Sequence, residues 1–179
     1  PYTTLFRSGM IWAIDPGKVS GWTIYDEQQR RVIACGSFPR HRMPQELIDR
    51  VLRVRSPIVF ESLEEPRGNI FPAVVTAAID EGRMREIVLA ATGIEPQCIS
   101  RHDVKRTLSL AVHGEPVVKD DKTAWQALVA LHGPGSDQKR TKSHEEGCIG
   151  LVTGHERAAL AVAVAWAIRN RLAFVGGTA

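Results

Sequence analysis

A chain of 179 residues that is 44% hydrophobic and 24% charged can bury one sizeable core, and it is too apolar to be disordered. Its net charge of +3 and pI near 9.0 permit a nucleic-acid partner without proving one, because a local basic face matters more than the total. Cys35, Cys98 and Cys148 are odd in number and far apart, which argues against a disulfide scaffold. No apolar run reaches membrane-spanning length, since the Ala-rich stretch 158–167 ends at Ile168-Arg169-Asn170-Arg171. A cytoplasmic setting in a bacterial cell or phage-infected host is therefore expected, with no membrane partner. Residues 1–9 lack a signal peptide's apolar core and read as a flexible leader or expression remnant, with Met10 as natural start. The remainder, 10–179, is expected to form a single domain.

Residues 10–14, 21–25 and 32–36 have the pattern of three successive short strands, with 26–31 as a polar turn between the second and third. After a connection at 39–44, residues 45–55 place Leu47, Ile48, Val51, Leu52 and Val54 largely on one helical face. Pro57-Ile58-Val59-Phe60 is a buried strand candidate ending in Glu61, and its helical flanks suit a parallel crossover. Residues 62–71 are irregular. Pro72 opens a helix to about residue 91, stopped by Thr92-Gly93, and 97–99 form one more short strand. Helices follow at 102–110 and 122–131, separated and followed by Gly- and charge-rich loops at 113–121 and 132–150. A final helix is expected over roughly 156–171, with a dense Ala packing face. Three strands, helix, strand, helix, strand, then helices define one α/β domain without internal repeats.

Chemistry concentrates at strand ends. Asp15 ends the apolar run Met10-Ile11-Trp12-Ala13-Ile14 and is followed by Pro16-Gly17, a poor place for packing and a good one for an active carboxylate. Glu61 has the matching setting after Val59-Phe60. Two carboxylates on neighbouring strands repel unless compensated. Mg²⁺ or Mn²⁺ relieves that repulsion, and two such ions can activate water and stabilise a leaving oxygen in phosphodiester cleavage.

These residues carry a resemblance. Ile14-Asp15-Pro16-Gly17 with Gly21, then Val59-Phe60-Glu61, then Asp103-Val104-Lys105 with Lys122, and finally His155-Glu156-Arg157-Ala158-Ala159-Leu160-Ala161-Val162-Ala163 are similar, in order, to motifs of the RuvC-type Holliday-junction resolvases. That family belongs to the ribonuclease H-like superfamily, and the likeness covers nearly all of 10–172. It implies a ribonuclease H-like fold with a central mixed five-stranded sheet flanked by helices. It implies a metal-dependent homodimeric endonuclease that cuts opposed strands of a four-way DNA junction, leaving 5′-phosphate and 3′-hydroxyl ends. Asp15, Glu61 and His155 would be ligands for Mg²⁺ or Mn²⁺. The His155 position is usually Asp in the family and His in some relatives; a neutral imidazole there could bind metal or orient the attacking water.

The sequence departs from the family at Ala158, where the last catalytic Asp is expected one turn after His155. Ala binds no cation. Deliberate replacement of Asp by Ala, takeover by Glu156 and decay of the nuclease function all remain open, and the first is favoured because the other motifs are intact. Glu156 points about 160° away from Ala158 around a helix, so it is a poor direct replacement.

Lys105 and Lys122 are candidates for the phosphate at the scissile bond, where a lysine stabilises developing charge. Lys119 competes with Lys122. Arg101, His102 and Arg106 extend the basic run and could follow the DNA backbone. Arg67, Asn69, Ile70 and Phe71, just after Glu61, occupy the region that opens the junction centre in the resembling enzymes, where apolar side chains wedge between unstacked bases. Helix 72–91 offers a dimer surface, and Lys139-Arg140-Thr141-Lys142 forms a second basic cluster. His144, Glu145, Cys148 and His155 do not have zinc-site spacing. The rival functions are a non-catalytic junction-binding protein and a ribonuclease H-like nuclease for other branched or RNA-containing substrates.

Overall fold

The computed structural model describes residues 9–40, 42–54, 56–62, 72–116, 121–132, 152 and 154–176. Three strands come first: β1 (Met10–Asp15), β2 (Val19–Asp26) and β3 (Arg31–Pro39). After α1 (Gln45–Val54), β4 (Ile58–Ser62), α2 (Pro72–Thr92) and β5 (Gln97–Ser100) alternate; α3 (Arg101–His113), α4 (Asp121–His132) and α5 (His155–Gly176) close the chain. The strands form one sheet in the order β3-β2-β1-β4-β5. β1, β2 and β3 pair antiparallel, while β4 lies parallel to both β1 and β5. The expected mixed five-stranded sheet with flanking helices is therefore present.

Period-two alternation explains why β1 and β4 read as continuous apolar runs. Ile11, Ala13, Tyr25 and Val59 belong to one buried cluster, shared with α3, α4 and α5. Trp12, Ile14, Ile24, Ile58 and Phe60 belong to a second, shared with α1 and α2. Both faces of the central strands are covered, so neither can be polar. The first cluster is built around α5, which packs across β1, β2 and β4 and against α3. Residues 159–165 of α5 are buried without interruption. Such a helix is apolar all round, and its alanines let the helix axis approach the sheet.

Several elements exceed the lengths that periodicity predicts. β3 continues to Pro39 because it is paired along its length with β2, from Asp26↔Arg31 to Val19↔Pro39. Its outward alternation, with a register shift that leaves Ile33 exposed, hides it from an apolar-run criterion. α3 begins at Arg101 because the Ser100 side chain accepts the Asp103 N–H at 3.0 Å. It runs to Gly114, whose left-handed backbone (φ 70°) and N–H to Leu110 O close the last turn. α2 ends as expected, with Gly93 at φ 66° donating to Leu89 O at 2.8 Å.

Candidate active site

The β1–β4 register decides where the two acids lie. Ile14 and Phe60 are partners across the parallel pair, so Asp15 and Glu61, each one residue further, occupy neighbouring positions at the sheet spacing of about 4.8 Å. Both fall on the face of Ala13 and Val59, toward α3 and α5. Asp15 ends its strand, whereas Glu61 lies inside β4, opposite Ile99 of β5, and is only 5% exposed. A buried carboxylate requires compensation, and Arg101 Nη1 at the start of α3 lies 3.9 Å from Glu61 Oε2.

Gly21 fixes the third component. It is the partner of Asp15 across β1–β2, and a Cβ built on it would lie 2.1 Å from His155 O and 2.3 Å from His155 C. The first turn of α5 therefore sits directly on the β2 backbone beside Asp15, and only glycine permits that approach. Thr23 Oγ1, two residues along, donates to Glu156 O at 3.3 Å and pins the same turn. This seating brings His155 and Ala158 to the strand ends.

Asp15, Glu61, His155, Ala158, Arg101, Lys105 and Lys122 all line one cleft of about 660 Å³. Lys105 follows Arg101 by four residues on α3 and Lys122 comes from the first turn of α4, so three helices and two strands converge. Sequence reasoning missed two side chains of the wall, Trp125 and Arg157. The Arg157 guanidinium lies 4.2 Å from the centre of the Trp125 ring, and its Nε donates to Val152 O at 3.4 Å. Trp125, three residues after Lys122, was legible as a helical neighbour of a site residue; Arg157 stood inside the last motif and was passed over.

Not every candidate converges. Arg106 and His102 are exposed on α3 and do not line the cleft. Arg67, Asn69, Ile70, Phe71, Lys119, the 139–142 cluster, His144, Glu145 and Cys148 lie outside the described residues. Glu156 lies apart from the cleft: it is buried beside β3, its Oε2 accepting from Cys35 Sγ at 3.6 Å, and it is not part of the cleft wall.

The donor chemistry fits a hard divalent cation in part. Asp15 and Glu61 supply adjacent carboxylates of the kind Mg²⁺ and Mn²⁺ prefer. Yet no group of three or more His, Cys, Asp and Glu side chains forms a ready metal cluster among the described residues. In the cleft wall, four cationic side chains (Arg101, Lys105, Lys122, Arg157) face two carboxylates (Asp15, Glu61). An aspartate at position 158 would supply a third carboxylate.

The fold is shared with two solved structures. Thermus thermophilus RuvC is 15% identical, with a TM-score of 0.57 over 92% of this chain and 96% of that one. T. thermophilus RuvC in complex with a Holliday junction substrate is 18% identical, with a TM-score of 0.53 over 91% of this chain and 95% of that one. No family model and no curated protein matches the sequence. The likeness establishes the ribonuclease H-like fold of RuvC for this chain.

Proposed function

We propose that this protein is a structure-selective endonuclease for four-way DNA junctions, held in an incomplete catalytic state by Ala158. The observation that carries this reading is the single cleft lined by Asp15, Glu61, His155 and Ala158 together with Lys105 and Lys122. The similarity to a RuvC structure that contains a Holliday junction substrate supports four-way DNA as the substrate class. Asp15 and Glu61 would hold Mg²⁺ or Mn²⁺, with His155 beside them, and the bound ion would supply Lewis-acid activation of water and leaving oxygen. The chain's own side chains do the remaining work. Lys105 and Lys122 meet the scissile phosphate and offset its developing charge, His155 orients the attacking water, and Arg101 faces the buried Glu61 carboxylate at 3.9 Å.

Symmetric cleavage needs two sites, one per protomer. α2 offers a self-association surface, because Val75 and Ile79 lie one turn apart and are 43% and 49% exposed. Membrane association through a spanning helix is not part of the reading, since no helix among the described residues is long and apolar enough to cross a bilayer. A second reading, a junction-binding protein without chemistry, is favoured by one observation: the cationic excess of the cleft suits binding a phosphate without cutting it.

The test is binding of a labelled four-way junction against the matched duplex and an RNA/DNA hybrid. Selective binding of the junction is the expected result. Equal affinity for junction and duplex would remove junctions as the substrate class.

A further inference from the structure

The Arg157–Trp125 pair belongs to none of the roles assigned above. Arg157 lies on the first turn of α5, one residue before the catalytically silent Ala158, and Trp125 projects from α4. Both line the cleft, and they come from two different helices. The guanidinium carbon of Arg157 lies 4.2 Å from the centre of the Trp125 ring, a cation–π contact that positions the arginine. Its Nε is engaged by the Val152 carbonyl, which fixes the direction of the fork. An arginine already positioned by a ring and a carbonyl loses little further entropy when it binds an oxyanion, and its planar fork matches phosphate geometry.

We infer that Arg157, positioned by Trp125, is a phosphate clamp of this cleft that grips the DNA backbone and does so without a divalent cation. The inference rests on the proposed function only in taking DNA as the source of the phosphate. The terminal nitrogens of Arg157 meet the phosphate oxygens, while Lys105 and Lys122 approach the same strand from α3 and α4. Because Arg157 adjoins position 158 in sequence, the gripped phosphate lies within a nucleotide or two of the one placed for cutting.

The experiment measures the affinity of the full chain for labelled junction and labelled duplex in EDTA, across a series of salt concentrations. Arg157→Gln is expected to reduce the salt slope on either DNA by about 0.9, the loss of one phosphate contact, and to weaken binding about 10-fold at intermediate salt. Arg157→Lys is expected to keep the slope and weaken binding less. Trp125→Leu is expected to weaken binding in the native background and to add nothing in the Arg157→Gln background, which a merely structural tryptophan would not do. An unchanged slope for Arg157→Gln on both DNAs overturns the clamp, as does a lowered melting temperature with affinity unaltered. If Arg157→Gln does not fold, Arg157→Lys decides: native affinity and slope together with additive Trp125→Leu losses overturn the inference. Equal binding of junction and duplex by the unaltered chain would refute junction selectivity, while the slope on duplex would still judge the clamp.

Discussion

Gly21→Ala is the sharpest perturbation the structure offers, because it adds one methyl group where two backbones already touch. The new Cβ would stand 2.1 Å from His155 O, 2.3 Å from His155 C and 2.9 Å from Glu156 N. All three are main-chain atoms, so no side-chain rotation relieves the clash. The first turn of α5 must retreat by most of an ångström or β2 must bow away. Overpacking of this kind costs about 1–3 kcal/mol, and the backbone nature of the contact places Gly21→Ala at the upper end. For a chain of this size each kcal/mol lowers the melting temperature by about 2–4 °C. The same displacement carries His155 and position 158 away from Asp15, so junction cleavage by an otherwise competent enzyme should fall by about 100-fold, the cost of an ångström's misplacement. Chemical denaturation and a cleavage time course check both effects. A Gly21→Ala protein within about 0.5 kcal/mol of the parent, and equal in cleavage to Ala158→Asp alone when combined with that substitution, would refute the argument that α5 is seated on this glycine.

Other expectations follow from particular contacts. Burial pushes the His132 imidazole below its ordinary pKa of 6.5, opposed by its hydrogen bond to Leu128 O and assisted by Arg30. The folded state then resists protonation. This contribution to stability is present above pH 6.5 and is lost as pH falls below it, by less than the ~1.4 kcal/mol per pH unit of a fully coupled group, because His132 is part-exposed. Its partner Tyr25, 2.8 Å away, is pushed up to about 12 by burial. Stability is therefore lost at the alkaline end as pH rises above the phenol's ordinary value toward about 12. Melting curves against pH should show both losses, and His132→Gln should flatten the acidic one; an unchanged acidic limb would contradict the assignment. If the proposed self-association runs through α2, Ile79→Glu should raise the dissociation constant of that proposed dimer about 30-fold or more, the cost of an unpaired interfacial charge, and leave the fold intact by circular dichroism. Light scattering that reports a persistent dimer would move the interface elsewhere. Glu156→Gln, placed in an Ala158→Asp background, should change the cleavage rate by less than about threefold. A larger loss would restore Glu156 as a catalytic acid.

The strands that carry the site were legible because both their faces are buried, which turns Met10–Ile14 and Ile58–Phe60 into unbroken apolar runs broken only where Asp15 and Glu61 appear. The long α5 was legible in its alanines. β3 was half-read because an edge strand with an exposed side shows apolar residues only at alternate positions. Convergence was legible only through the family resemblance, not from the pattern of the residues themselves. That Asp15 and Glu61 are neighbours depends on the parallel register of β1 with β4, and that α5 delivers His155 to them depends on a glycine on β2. Arg157 was missed for a related reason: an arginine in an alanine-rich helix reads as a solvent charge until α4 is seen to place Trp125 beneath it.

The central claim is that position 158 alone separates this cleft from a working nuclease, and cleavage of a mobile four-way junction by the Ala158→Asp protein tests it most directly. Loss of groups that merely orient metal ligands costs about 10–100-fold, so supplying the ligand itself should raise Mg²⁺- or Mn²⁺-dependent cleavage by about 100-fold or more. The products should be paired, symmetric nicks in opposed strands, with matched duplex left uncut. Selective junction binding by both proteins with cleavage by neither would contradict the claim and leave a binding protein in its place.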